Sequence, residues 1–161
     1  MSDYTGPGMY EILPKHAPEM SFNVWGGATT AGTPIKIYPR TKDAINTHFE
    51  IVSAGGYYAQ PEKGDREYHI ICANSGLYLC MNYSGGDFGT ITAEVRPPLD
   101  NDVRWKIAHT GNGTYTINNV NGKTKQQLNV RGEGKASGTE VISYAIKEAA
   151  NTQFILKAVV A

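Results

Sequence analysis

The sequence predicts an all-β fold made of three repeats of four short strands each. Three observations predict it. Apolar residues alternate over short runs rather than recurring at helical spacing. Gly and Pro, 18 and 8 of the 161 residues, punctuate the whole chain at short intervals, as in strands joined by turns. Four sequence landmarks recur three times in one order and at nearly one spacing.

The opening strand of each repeat reads apolar-polar-apolar: Tyr10-Glu11-Ile12, Tyr68-His69-Ile70 and Tyr115-Thr116-Ile117. The second strand carries an apolar pair around one residue: Phe22/Val24, Leu79/Met81 and Leu128/Val130. A Gly-Thr step, at Gly32-Thr33, Gly89-Thr90 and Gly138-Thr139, turns the chain into the third strand, with glycine supplying a permissive backbone. The closing strand starts on an aromatic: Phe49, Trp105 or Phe154, with Asn46, Asp102 or Asn151 three residues before it. Opening tyrosine and closing aromatic lie 39, 37 and 39 residues apart. Phe22, Val24, Leu79, Leu128, Val130, Phe49, Trp105 and Phe154 are the expected core. The one helix-like stretch, Ala145 to Asn151, is too short to carry a fold. Residues 1–161 form a single domain, with repeats at about 9–52, 67–108 and 114–158. One unit alone leaves its apolar face open, whereas three that close on each other bury it and remove exposed sheet edges. The connection from Val52 to Arg66, rich in Gly, Pro and charge, reads as a surface loop.

Composition excludes several function classes. Lys+Arg and Asp+Glu are 15 each, which argues against nucleic acid as a partner, since that affinity rests on a basic surface. No apolar run approaches a membrane span, so no membrane insertion is expected. No signal peptide is visible at the N-terminus, and a cytoplasmic, reduced protein is the expectation. Cys72 and Cys80 fit no redox or zinc spacing and read as small buried hydrophobes in apolar strands. His16, His48, His69 and His109 fall in separate segments without metal-ligand spacing. Arg131 to Gly138 lacks the phosphate-loop spacing and the helix that should follow, and reads as a Gly-rich hairpin. No nucleophile elbow is present. Neither an enzymatic activity nor a metal or cofactor is expected.

The threefold pattern resembles the ricin-B-type β-trefoil lectins over roughly residues 9 to 158. The stretch from Tyr10-Glu11-Ile12-Leu13-Pro14 through Phe22-Asn23-Val24-Trp25 is most similar to the Sclerotinia-type fungal agglutinins. The resemblance implies a β-trefoil and one shallow sugar pocket per repeat. In that family a polar residue between the apolar pair, usually aspartate, binds sugar hydroxyls. An aromatic platform follows the Gly-x turn, and an asparagine precedes a closing Gln-x-Trp-like motif. Here that motif stands as Thr47-His48-Phe49, Val103-Arg104-Trp105 and Thr152-Gln153-Phe154. The aspartate position holds Asn23, Cys80 and Asn129.

A neutral hexose offers hydroxyls, which need directional partners, and an apolar face, which stacks on an aromatic ring. The first repeat has the full set in Asn23, Tyr38 and Asn46, with Trp25, Gly26, Lys36 and Arg40 close enough in sequence to add contacts. Trp25 follows the Phe22/Val24 pair, reverses the strand alternation and is expected to be exposed. The third repeat offers Asn129, Tyr144 and Asn151, with Arg131 nearby. The second has Cys80 and Val95 at the equivalent positions and reads as structural. Asn46 and Asn151 also suit a purely structural role as turn caps, and Tyr38 and Tyr144 one as ordinary surface tyrosines. Two functions follow: a non-catalytic lectin for terminal galactose or N-acetylgalactosamine on glycans, with avidity from dimerisation or from two sites per chain and a homodimer implied by the resemblance, or a β-trefoil protease inhibitor of the fungal mycocypin type using the Val52–Arg66 loop.

Overall fold

A computed structural model describes residues 2–56 and 63–160. Its strands are β1 (Gly8–Pro14), β2 (Met20–Val24), β3 (Thr33–Pro39), β4 (Phe49–Gly56), β5 (Lys63–Cys72), β6 (Tyr78–Asn82), β7 (Gly89–Glu94), β8 (Trp105–His109), β9 (Tyr115–Asn119), β10 (Gln126–Val130), β11 (Val141–Ala145) and β12 (Phe154–Ala158). The first and fourth strands of the three repeats close into a ring, β1–β4–β5–β8–β9–β12 and back to β1, antiparallel throughout. The remaining strands make three hairpins, β2–β3, β6–β7 and β10–β11. These cap one end of the barrel and touch in turn: β3 pairs β7, β7 pairs β11, and Lys36 bridges Glu140. This architecture is a β-trefoil.

The repeated landmarks find one another in space. Each opening tyrosine is the register partner of its repeat's closing aromatic: Tyr10 with Phe49, Tyr68 with Trp105, and Tyr115 with Phe154. All eight expected core residues are fully buried. Phe22 meets Phe49 and Phe154 edge-on at 6.3 and 5.2 Å, the arrangement aromatic quadrupoles favour. The buried Trp105 indole donates to the Leu79 carbonyl at 3.2 Å, so the largest core side chain leaves no polar atom unpaired. At the other end of the barrel the N-terminal arm lies across the mouth. The Tyr4 ring packs on Tyr10 and Tyr115 at 5.2 and 4.9 Å, and burial pushes its hydroxyl pKa upward.

Two expectations need correction. The Val52–Arg66 segment is not a surface loop throughout. β4 and β5 run on as a ladder beyond Val52 to the Gly56–Arg66 pair, with a bulge between Ser53 and Gly55. The paired stretch from Ser53 to Gly56 is built of Ser, Ala and Gly and shows no apolar alternation to reveal it, whereas backbone pairing needs no apolar face. Residues 57–62 of that segment lie outside the described residues. The Gly-Thr steps also differ among themselves. Gly32 and Gly138 have φ of 90° and 89°, as a glycine turn requires, whereas Gly89 is not at positive φ and is needed for space.

Candidate functional site

In the first repeat, β2 is buried along its whole length and ends in a 3₁₀ turn, Trp25–Gly27. A second 3₁₀ turn, Ile45–Thr47, carries Asn46 back over the end of β2. Between them lies a cleft of about 430 Å³ lined by Asn23, Trp25, Gly26, Tyr38 and Asn46, with Thr41 and Ala44 at its edge. Trp25 is half-buried and meets the exposed Tyr38 ring edge-on at 6.0 Å, so two aromatic walls stand beside two amides.

The amides are clamped. Asn46 Nδ2 donates to Asn23 Oδ1 and to the Val24 carbonyl, each at 3.2 Å. A backbone carbonyl only accepts, so this pairing decides which way both amides face. Asn46 keeps its acceptor oxygen for a ligand, and Asn23 keeps its donor nitrogen. A sugar hydroxyl both donates and accepts and suits that pair. Asparagine where the resembling lectins carry aspartate therefore turns an acceptor-only group into a donor, and the pair carries no charge.

Lys36 and Arg40 are not among the residues that line this cleft. Lys36 extends its ammonium over the Trp25 ring at 5.0 Å but lines a separate groove with Glu140. Arg40 donates through Nε and Nη2 to Glu11, the shortest contact being 2.9 Å, and lines a different, charged cleft with Lys42, Asp43 and His48. Arg40 turns away because the buried Glu11 carboxylate on β1 attracts its guanidinium, and the hydrogen bond raises the Arg40 pKa.

The third repeat reproduces the clamp. Asn151 Nδ2 donates to Asn129 Oδ1 at 3.2 Å and to the Val130 carbonyl at 2.9 Å. Here the clamp is deeper: Asn151 is 1% exposed, and its Oδ1 is buried without a hydrogen-bond partner. The cleft measures about 460 Å³ and holds Asn129, Tyr144 and Asn151 together with Arg131 and Lys147. Phe88, Asp87 and Ile142 also line it. Sequence reasoning missed Phe88, which comes from the second repeat. Its only linear signal is its place immediately before the Gly89-Thr90 step.

The second repeat has no clamp. Cys80 is fully buried, and burial pushes its thiol up to about 12. Val95 is 74% exposed with no aromatic face to offer. Asp102 turns to Arg96 at 3.4 Å, and Arg96 also pairs Asp100 at 3.0 Å. Burial, with the neighbouring Asp100 charge, raises the Asp102 carboxyl pKa. Among the described residues no group of three or more His, Cys, Asp or Glu is placed to hold a metal, and no helix is long and apolar enough to cross a membrane.

A closed barrel capped by three hairpins, with an aromatic-and-amide cleft on two of them, defines a trefoil-built binding module. Residues 46–144 match the family model of the ricin-type beta-trefoil lectin domain-like proteins, and the chain belongs to that family. It is 29% identical over 159 residues to an agglutinin of Sclerotinia sclerotiorum, covering 96% of this chain and 98% of that one. Solved structures of several other proteins share the fold. The Rhizoctonia solani agglutinin matches with a TM-score of 0.76 at 16% identity, covering 97% of this chain and 98% of its own. The Macrolepiota procera ricin B-like lectin, solved with lactose, matches with a TM-score of 0.72 at 17% identity, covering 98% and 99%.

Proposed function

We propose that this protein is a non-catalytic lectin recognising terminal galactose or N-acetylgalactosamine on glycans, with the first-repeat cleft as its principal site and the third-repeat cleft as a second. The observation that carries the reading is the duplicated clamp, Asn46 on Asn23 and Asn151 on Asn129, each beside a tyrosine at the matching position of its third strand. Turn capping alone does not call for an aromatic beside the clamp, nor for a buried amide oxygen left without a partner at Asn151. In the first cleft a pyranose lays its apolar face on Tyr38 or Trp25 while hydroxyls accept from Asn23 Nδ2 and donate to Asn46 Oδ1. The galactose preference draws on the Macrolepiota procera lectin, which shares the fold and was solved with lactose.

Open clefts of this kind bind single sugars weakly, so homodimerisation, or use of both clefts, belongs to the same proposal as the source of avidity. A cytoplasmic location is also part of it, in keeping with two free, buried cysteines. The protease-inhibitor alternative relied on Val52–Arg66 as an inserting loop, and the β4–β5 ladder takes up Val52 to Gly56. The test is a glycan-array screen with free N-acetylgalactosamine as competitor. Competable binding to galactose- or N-acetylgalactosamine-terminated glycans supports the reading, and a blank array from folded protein overturns it.

A further inference from the structure

The two clefts share a frame and differ in one wall. Trp25 and Arg131 hold equivalent places. Each opens the 3₁₀ turn after a fully buried strand, and each precedes a glycine of matching conformation, Gly26 at φ 67° and Gly132 at φ 62°. Each also leans on the hairpin of a neighbouring repeat. Trp25 packs against Gly138, where an added Cβ would lie 3.6 Å from the indole. Arg131 stacks its guanidinium on Phe88, 4.4 Å from the ring centroid. Phe88 is placed by a close approach of backbones. The neighbouring Gly89 donates its N–H to the buried Ser143 Oγ at 3.1 Å, and a Cβ on Gly89 would fall 2.5 Å from that oxygen. Only glycine brings β7 this near β11, one residue from Tyr144.

The exchange of indole for guanidinium puts a charge into the wall. A second cation joins it, since Lys147 Nζ sits 5.7 Å from the Tyr144 ring centroid. In the first cleft Lys36, from a neighbouring groove, holds its ammonium over the Trp25 ring at 5.0 Å, and Arg40 turns to Glu11. Of the two clefts it is the third repeat's that places a cation within its own lining on an aromatic wall, Arg131 on Phe88. The acids of the third cleft, Asp87 and Glu133, are exposed, and Glu140 reaches Arg131 only at 3.5 Å with both side chains about half exposed. Both cations of the third cleft sit against aromatic rings of its lining, Arg131 on Phe88 and Lys147 beside Tyr144. Below them Asn151 Oδ1 has no donor.

We propose that the third-repeat cleft selects an acidic sugar, a hexose ring bearing a carboxylate, and that Phe88 and Arg131 are the residues that set this preference. This rests on the lectin reading above. The carboxylate takes the guanidinium fork of Arg131 with Lys147 beside it. Phe88 holds the guanidinium flat, so the second repeat, without a clamp of its own, contributes to the third repeat's specificity.

The experiment is calorimetric titration with methyl galactoside and methyl galacturonide, which differ only in a hydroxymethyl against a carboxylate. The proteins are the full chain, Asn46→Ala, and Asn46→Ala combined with Arg131→Gln, Arg131→Lys or Phe88→Ala. In Asn46→Ala the galacturonide binds about five- to tenfold more tightly than the galactoside, an advantage that shrinks in high salt. Arg131→Gln erases the advantage, Arg131→Lys restores part of it, and Phe88→Ala reduces it. Equal or weaker galacturonide binding in Asn46→Ala, or an advantage that survives Arg131→Gln, overturns the inference. If the full chain binds the galactoside through Asn46 and no variant prefers the galacturonide, this inference falls alone. If the full chain binds neither sugar, the lectin reading falls and takes it along.

Discussion

Replacing Asn46 with alanine separates a sugar contact from a structural clamp. The side chain supplies two hydrogen bonds to the protein, to Asn23 Oδ1 and the Val24 carbonyl. A typical net contribution is about 1 kcal/mol each, but Asn46 is only half-buried and water enters the open cleft to replace it. The expected cost is about 1 kcal/mol, or a melting temperature lower by about 3 °C for a chain of this size. Binding suffers more. The ligand loses the Asn46 acceptor, and the freed Asn23 amide is no longer held in place. Together these cost about 2 kcal/mol, roughly thirtyfold, which takes a weak single-sugar site below detection. Asn151→Ala is the control in the same protein. There Asn129 Oδ1 and the Val130 carbonyl are left buried without a donor, at about 2–3 kcal/mol, or about 6–10 °C. Calorimetric melting with titration of N-acetylgalactosamine reads both quantities. If Asn46→Ala lowers the melting temperature as far as Asn151→Ala and leaves sugar affinity unchanged, Asn46 is a structural clamp and nothing more.

Tyr38→Ala weakens first-cleft binding about five- to tenfold by removing a stacking face, while stability moves by no more than about 0.5 kcal/mol because the ring is 43% exposed; unchanged affinity in a titration takes Tyr38 out of the site. Arg40→Ala leaves sugar binding unchanged and lowers stability by about 1 kcal/mol in a denaturant titration, because its partner is Glu11 and the Arg40 side chain is 42% exposed; a loss of affinity would return Arg40 to the cleft. Asn23→Asp keeps the Asn46 bond and adds a carboxylate, so binding becomes pH-dependent and weakens as acid protonates it, whereas the wild-type amide pair stays flat; parallel pH titrations compare them, and an equally sloped wild-type profile refutes the neutral-pair account. Burial pushes the Cys72 and Cys80 thiols up to about 12. The folded chain therefore holds these protons more tightly than the unfolded one. The stability this contributes is complete below the unfolded thiol pKa, near 8.5, and is lost progressively between there and about 12. Melting temperatures of the wild type and of Cys72→Ser/Cys80→Ser across that range test it; parallel curves would show that the thiols add nothing to the alkaline loss.

Much of the architecture was readable before folding because its signals are local and repeated. A tyrosine that opens a strand and an aromatic that closes one recur about 38 residues apart, and they prove to be register partners in every repeat. The Phe22/Val24 type of pair marks a strand whose flanks face the core, so its middle residue is carried toward the cleft side. The β4–β5 extension was illegible for the opposite reason: Gly55-Gly56 and the charges after them look like loop, and only backbone pairing makes them strand.

Sequence alone determined the repeat and the core, since both follow from spacing within one unit, and the resemblance to the ricin-B-type lectins pointed to the two Asn-Tyr-Asn sets. The tertiary structure alone decided what stands beside those sets. The packing of β1 against the first hairpin brings Glu11 to Arg40 and takes that cation out of the first cleft. The meeting of β7 with β11 brings Phe88 under Arg131 and completes the third. Both contacts join residues far apart in the chain, Arg131 and Phe88 across repeats, so their partners exist only once the sheet has closed and the hairpins have met.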